Sequence, residues 1–105
     1  MIELKKNYRK MGQDFTQVHK DDKVVIYISP FPSVEVFEYH VGKPNHFSDD
    51  HYEMYPGNEA FGLWAWCATS KAQFRDIMNR HFADHPEKSE ICNNIEATMN
   101  DRGFR

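Results

Sequence analysis

The chain has 105 residues, of which 40% are hydrophobic and 14% aromatic, enough for one domain with a real core. Its net charge of −3 lacks the basic excess of general nucleic-acid binders, so nucleic acid is an unlikely partner. Two cysteines do not make a disulfide framework, and we find neither a signal-peptide pattern nor an apolar run of membrane-spanning length. We therefore expect a single domain over residues 1–105, with no membrane segment, in a reducing cytoplasm.

The first half of the chain is predicted to form β-strands. β-branched and aromatic residues flank an Asp-rich turn, which predicts a hairpin of strands over 15–19 and 24–29. Gly12 permits a turn before this hairpin, so a preceding strand over 3–9 is also predicted. Proline at position 30 ends the third run, since proline cannot donate a hydrogen bond to a central ladder.

The next strand is predicted over 34–41, where apolar and polar residues alternate. The alternation places Phe37, Tyr39 and Val41 on an apolar face, with Glu38 and His40 on the other.

The most apolar run of the chain covers residues 61–68 and is too short for most helices. We interpret it as a buried central strand, in which Gly62 permits a bulge or a close approach. Cys67 lies in this run and is therefore predicted to be an inert core thiol.

Two helices are predicted after the strands. Ser70 is expected to cap the first helix in a capping box with Gln73, and apolar residues recur at helical spacing from Phe74 to Phe82. Asp84 is the predicted cap of the second helix and Gly103 its stop. Strands followed by helices predict an α+β fold, an antiparallel meander of four to five strands followed by two C-terminal helices packed on one face.

The middle of the chain is its acidic part, because residues 35–59 carry six acids against one lysine. Aromatic residues are interleaved with these acids, which suits a partner protein that has a basic surface and apolar pockets. The predicted partner-binding residues are Glu35, Glu38, Asp49, Asp50, Tyr52, Glu53 and Glu59.

The same segment holds a dense set of metal-capable side chains, which gives a second hypothesis. Histidine and carboxylate ligands suit zinc or another divalent ion, although the spacing here matches no recognised zinc signature. The candidate ligands are His40, His46, Asp49 and His51, and the alternative is a metal-binding protein or metal-dependent enzyme using loop 40–53. A solvated polar loop is the simpler interpretation, so no cofactor is predicted, and no motif marks a catalytic residue.

Two segments carry a resemblance to a known group of proteins. Val34-Glu35-Val36-Phe37, followed by Tyr55-Pro56-Gly57-Asn58-Glu59-Ala60-Phe61-Gly62-Leu63-Trp64-Ala65-Trp66 and an amphipathic helix, resembles small uncharacterised proteins encoded by phages and prophages. The likeness covers roughly residues 15–82, and Gly57 stands where those proteins usually have serine. The resemblance implies one fold unit and a mobile-element origin, with no catalytic residues to carry over.

The leading hypothesis is a non-enzymatic protein-binding module of phage or mobile-element type. It would inhibit a host defence or nucleic-acid-processing protein through the acidic aromatic surface, with a host or phage protein of basic surface as partner. A third hypothesis is a self-associating structural domain, because the second helix has a thin apolar stripe and a small sheet has free edges. A monomer and a homodimer both remain open.

Overall fold

A computed structural model describes residues 1–46 and 49–105 of the chain. Its strands are β1 (Asn7–Lys10), β2 (Gln13–Lys20), β3 (Val24–Ser29), β4 (Ser33–Glu38), β5 (Val41–Gly42), β6 (Tyr52–Glu53) and β7 (Ala65–Ala68). The helices are α1 (Lys71–His81) and α2 (Lys88–Asp101), with a 3₁₀ turn at Asn58–Ala60. Antiparallel pairing gives a five-stranded sheet in the order β1-β2-β3-β4-β7, and β5 pairs with β6. The predicted α+β class is confirmed.

One face of the large sheet is covered by both helices. Alternate residues of β3 and β4, such as Ile26 and Val36, meet the apolar stripes of the helices there. Phe74 and Met78 of α1 and Cys92 of α2 are fully buried in this cluster. The stripe on α2 is therefore part of the core, as is Cys92.

The opposite face is covered too, by aromatic side chains and by the start of the chain. Tyr27 and Phe37 are fully buried on this face, and Leu4 packs in the same cluster. Ile2 pairs with β6, which brings the first residues alongside the small sheet. The segment predicted as one long loop thus contains two short strands that anchor the N-terminal residues.

A β-bulge interrupts β2 where the register shifts between Gln17 and His19. Gln17 faces Tyr27, whereas His19 faces Ile26, so Val18 is the extra residue. The bulge moves His19 to the helical face, which simple alternation from Phe15 would not have done.

The prediction of a buried central strand over 61–68 is wrong in extent and position. The strand begins only at Ala65 and lies at the edge of the sheet. Gly62 has a φ of 91°, and its amide donates to the carbonyl of Ala65 at 2.8 Å, so the chain turns back before the strand starts. Cys67 is consequently exposed, not a core thiol.

The first helix begins as predicted and the second begins later. The Ser70 hydroxyl accepts from the Gln73 amide at 3.2 Å, which is the expected cap of α1. The predicted Asp84 cap is wrong, because the chain makes a turn through His85 and α2 starts only after Glu87. Gly103, with a φ of 82°, follows the end of α2 and confirms the predicted stop.

Gly42→Ala is expected to destabilise the protein by about 1–3 kcal/mol, because a methyl group there overlaps a packed ring. A β-carbon on Gly42 would lie 2.2 Å from the ring of Tyr52 in the small sheet. The matched control is Gly57→Ala, whose β-carbon meets only the movable end of Glu59. Urea denaturation of both variants checks this, and equal losses of stability would contradict the packing of Tyr52.

Candidate functional site

The predicted acidic residues do not form one exposed surface. Glu35 and Glu53 are 6% and 8% exposed, so neither contributes to an exposed acidic surface. The others are Asp49, Asp50 and Glu59, which are exposed, and Glu38 and Tyr52, which are half-buried. Asp50 pairs with the N-terminal amino group at 2.9 Å, and Tyr52 packs over Gly42.

Glu53 is the centre of a buried polar network. Its carboxylate accepts from the Leu4 amide at 2.8 Å, from Lys20 Nζ at 2.7 Å and from the Tyr39 hydroxyl at 2.6 Å. Burial acts to raise the pKa of Glu53, but these donors outweigh it and lower that pKa. The same bond, with burial, raises the pKa of Tyr39 to about 12. Glu53 therefore ties the start of the chain, β2 and β6 together.

Glu35 lies at the floor of a cleft on the face opposite the helices. The cleft has a volume of about 290 Å³, and Phe15, Ser33 and Cys67 are among its walls. Glu35 accepts from the Tyr8 hydroxyl at 2.7 Å and from Lys10 Nζ at 3.2 Å. The Lys10 ammonium also lies 4.8 Å from the centre of the Phe61 ring. The floor is therefore a satisfied, charge-neutral polar group within largely apolar walls.

Two large apolar side chains stand exposed beside this cleft. Met11 is 90% exposed and Phe31 is 71% exposed, and both line it. They belong to the β1–β2 and β3–β4 turns, which an antiparallel meander places at the same end of the sheet.

The backbone at Met11 adopts a conformation that a methionine rarely takes. Met11 has a φ of 52° and Gly12 a φ of 77°, the left-handed pair of a two-residue hairpin turn. Asn, Asp and Gly suit the first position of such a turn, and a long apolar side chain there costs free energy. Neither backbone preference nor solubility therefore explains a methionine at this position.

Cys67 brings a thiol into the cleft but not an activated one. Although the residue is exposed, partial burial of its sulfur in the cleft wall, together with the nearby Glu35 carboxylate, raises the pKa of the Cys67 thiol. A raised pKa keeps the sulfur protonated at neutral pH, whereas a nucleophilic cysteine needs the thiolate. The thiol therefore serves as a chemical reporter on the cleft.

The predicted metal ligands of loop 40–53 are not brought together. His40 lies 3.2 Å from the Glu38 carboxylate and packs edge-on against Trp64. Within residues 1–46 and 49–105, the ligand atoms of three metal-capable side chains converge elsewhere, at His19, Asp21 and His85. Sequence reasoning missed this cluster. The His-x-Asp spacing at 19–21 was its single local signal, and His85 had none.

The two edges of the five-stranded sheet are the strands β1 and β7. The edge strand β1 carries Arg9 and Lys10, and charges of this kind oppose strand addition. At the other edge, Gly62 already donates to the carbonyl of Ala65, and the Thr69 amide donates to the side chain of Gln73 at 2.7 Å. These contacts leave only part of the short strand β7 free.

No family model, no curated protein and no solved structure matches the chain. Within the described residues, neither helix combines the length and the apolarity that a membrane crossing requires. Among the described residues, the candidate sites are the cleft around Glu35 and the cluster of His19, Asp21 and His85.

Proposed function

We propose that the chain is a non-enzymatic protein-binding module whose cleft receives an apolar side chain of a partner protein. The observation that carries the proposal is the exposure of Met11 and Phe31 on either side of a concave, mostly apolar site. Such sites, with a few convergent polar groups, are the usual form of binding pockets.

The chemistry of the floor favours an uncharged anchor. Lys10 neutralises Glu35, so an incoming charge would find no unpaired partner. A large apolar or aromatic side chain would instead remove Met11 and Phe31 from water, and such buried anchors dominate binding energy at interfaces. An N–H or O–H group on the anchor can still donate to the Glu35 carboxylate, which would add specificity.

The partner in this proposal is a host or phage protein. The resemblance to phage-encoded proteins supports that choice, and inhibition of a defence or nucleic-acid-processing protein is the corresponding role. Exposed acids outside the cleft, such as Asp49 and Glu59, remain available for a basic region around the anchor and would act mainly on association rate and orientation.

The double variant Met11→Ser, Phe31→Ser is expected to lose partner capture, because the apolar mouth of the cleft is removed. The matched control is Leu63→Ser, which changes a 75% exposed leucine in the turn before β7. Tagged wild type and variants are incubated with bacterial lysate after nuclease treatment, and retained proteins are quantified by mass spectrometry. We expect a loss of about tenfold or more for the double variant and none for the control.

Protection of Cys67 provides the second readout. Cys67 is exposed in the cleft, whereas Cys92 is buried, so a thiol reagent acts first on Cys67. A bound anchor should slow that reaction. Capture that survives the double variant, or binding that leaves the reaction rate unchanged, would place the interaction outside the cleft and overturn the proposal.

A further inference from the structure

Away from the cleft, two imidazoles converge on one carboxylate oxygen. Nε2 of His19 lies 2.7 Å from Oδ2 of Asp21, and Nε2 of His85 lies 2.8 Å from the same oxygen. His85 is 9% exposed, whereas His19 and Asp21 are half-buried. All three ligand-capable atoms lie within 4.8 Å of one another.

The fold positions each of these side chains separately. The bulge in β2 turns His19 to the helical face, and the α1–α2 connection brings His85 to the same place. Asp21 is oriented by its other oxygen, Oδ1, which accepts from the amides of Lys23 and Val24 at 2.7 and 2.9 Å. Hydrogen bonds of this kind orient carboxylate ligands in metal sites.

We propose that His19, Asp21 and His85 bind a divalent first-row transition-metal ion such as zinc. Two nitrogens and one carboxylate oxygen are a donor set suited to these ions, and such triads leave further positions for water or a ligand. Ligand atoms about 2.1 Å from a tetrahedral ion lie about 3.4 Å apart, so each histidine would move back from Oδ2 of Asp21 by roughly 0.6 Å on binding. A cleft lined by His85 opens next to the cluster and gives an ion and its waters access from that side.

Binding an ion would require a proton shift at both histidines, because Nε2 of each donates to Oδ2 of Asp21 in the ion-free cluster. The shift at His85 also breaks a hydrogen bond. The Glu87 amide donates to Nδ1 of His85 at 3.0 Å, so the proton of the neutral ring is on Nε2, which donates to Asp21. Coordination through Nε2 moves that proton to Nδ1 and breaks the bond from Glu87. One neutral hydrogen bond is a small part of the free energy with which structural zinc binds. The Glu87 amide is therefore a specific reporter of binding.

The test is calorimetric titration of the whole chain with zinc chloride, repeated with cobalt for its visible spectrum. We expect one equivalent to bind with a Kd of about 1 μM or tighter. His85→Gln and Asp21→Asn should each weaken binding at least about tenfold, whereas His40→Gln and His51→Gln, from the loop predicted earlier, should leave it unchanged. The amide resonance of Glu87 should shift on binding.

His19→Gln removes a ligand with little risk of unfolding the protein, because the side chain of His19 is half-buried and lies near the end of a strand. Circular dichroism of each variant confirms folding before titration. No saturable binding up to about 100 μM zinc, or binding lost in the loop variants but kept in His19→Gln, would overturn the site. Zinc bound by wild type with no change at the Glu87 amide would also contradict coordination through His85.

Discussion

Glu53→Ala is expected to lower the free energy of unfolding by about 3 kcal/mol. The substitution leaves the Leu4 amide, the Tyr39 hydroxyl and the Lys20 ammonium without their common acceptor, although Lys20 is exposed enough to regain some water. Urea denaturation followed by circular dichroism measures the change. The control is Glu59→Ala, an exposed acid that should change stability by less than about 0.5 kcal/mol.

The contribution of Glu53 should also depend on pH. Because the folded protein lowers the pKa of Glu53 below its ordinary 4.5, the stabilisation is fully present above that value and is lost as the pH falls below it. Glu53→Gln cannot ionise, so its stability difference from wild type should shrink as the pH falls from 4.5 to about 3. A constant difference over that range would show that the carboxylate charge is not the stabilising feature.

Phe74→Ala is expected to destabilise the protein by about 4 kcal/mol, the second large effect. Phe74 is fully buried where the first turn of α1 meets the sheet, so removing its ring leaves a cavity between the two layers. Thermal and urea unfolding of the variant measure the loss. A loss below about 1 kcal/mol would mean that the helix is not packed on the sheet as described.

Phe31→Ala is the matched control for Phe74→Ala, because it removes a phenylalanine ring from an exposed turn instead of from the core. Phe31 is 71% exposed, so its removal should change the free energy of unfolding by less than about 0.5 kcal/mol. In the proposed function it should nevertheless weaken partner capture. The pair separates a phenylalanine that holds the fold from one that serves binding.

Much of the fold followed from local patterns. Strands at 15–19 and 24–29 were predicted because β-branched and aromatic residues flank an Asp-rich turn, a signal that needs no distant contact, and the structure has them at 13–20 and 24–29. The first helix was predicted from Ser70 and from apolar residues at helical spacing, both of which act within a few residues. Gly103 ended α2 for a similarly local reason, its freedom to adopt a positive φ.

The candidate sites were much less predictable. Glu35 was predicted as part of an exposed acidic surface. In the structure it pairs with Tyr8 and Lys10 and lies at the floor of a cleft. No local pattern identifies such a pairing, because the partners of Glu35 lie 25 and 27 residues away. The sequence did not predict Met11 and Phe31 as candidate binding residues. A single exposed apolar residue in a turn is ordinary, and it points to a site only when the structure shows a cleft beside it.

The sequence by itself determined that strands precede two helices along the chain, where the first helix is capped, and that one core has enough apolar residues. Short-range propensity and periodicity encode those features. Only the tertiary structure decided which face each strand residue occupies, that 65–68 is an edge strand, and that Glu53 is buried. In an alternating strand, each side chain can lie on either face of the sheet until the strand pairs with its neighbours. One bulged residue then moves every following side chain to the opposite face. That reversal brings His19 to Asp21, and His85, which lies 64 residues beyond Asp21 in the chain, contacts the same carboxylate.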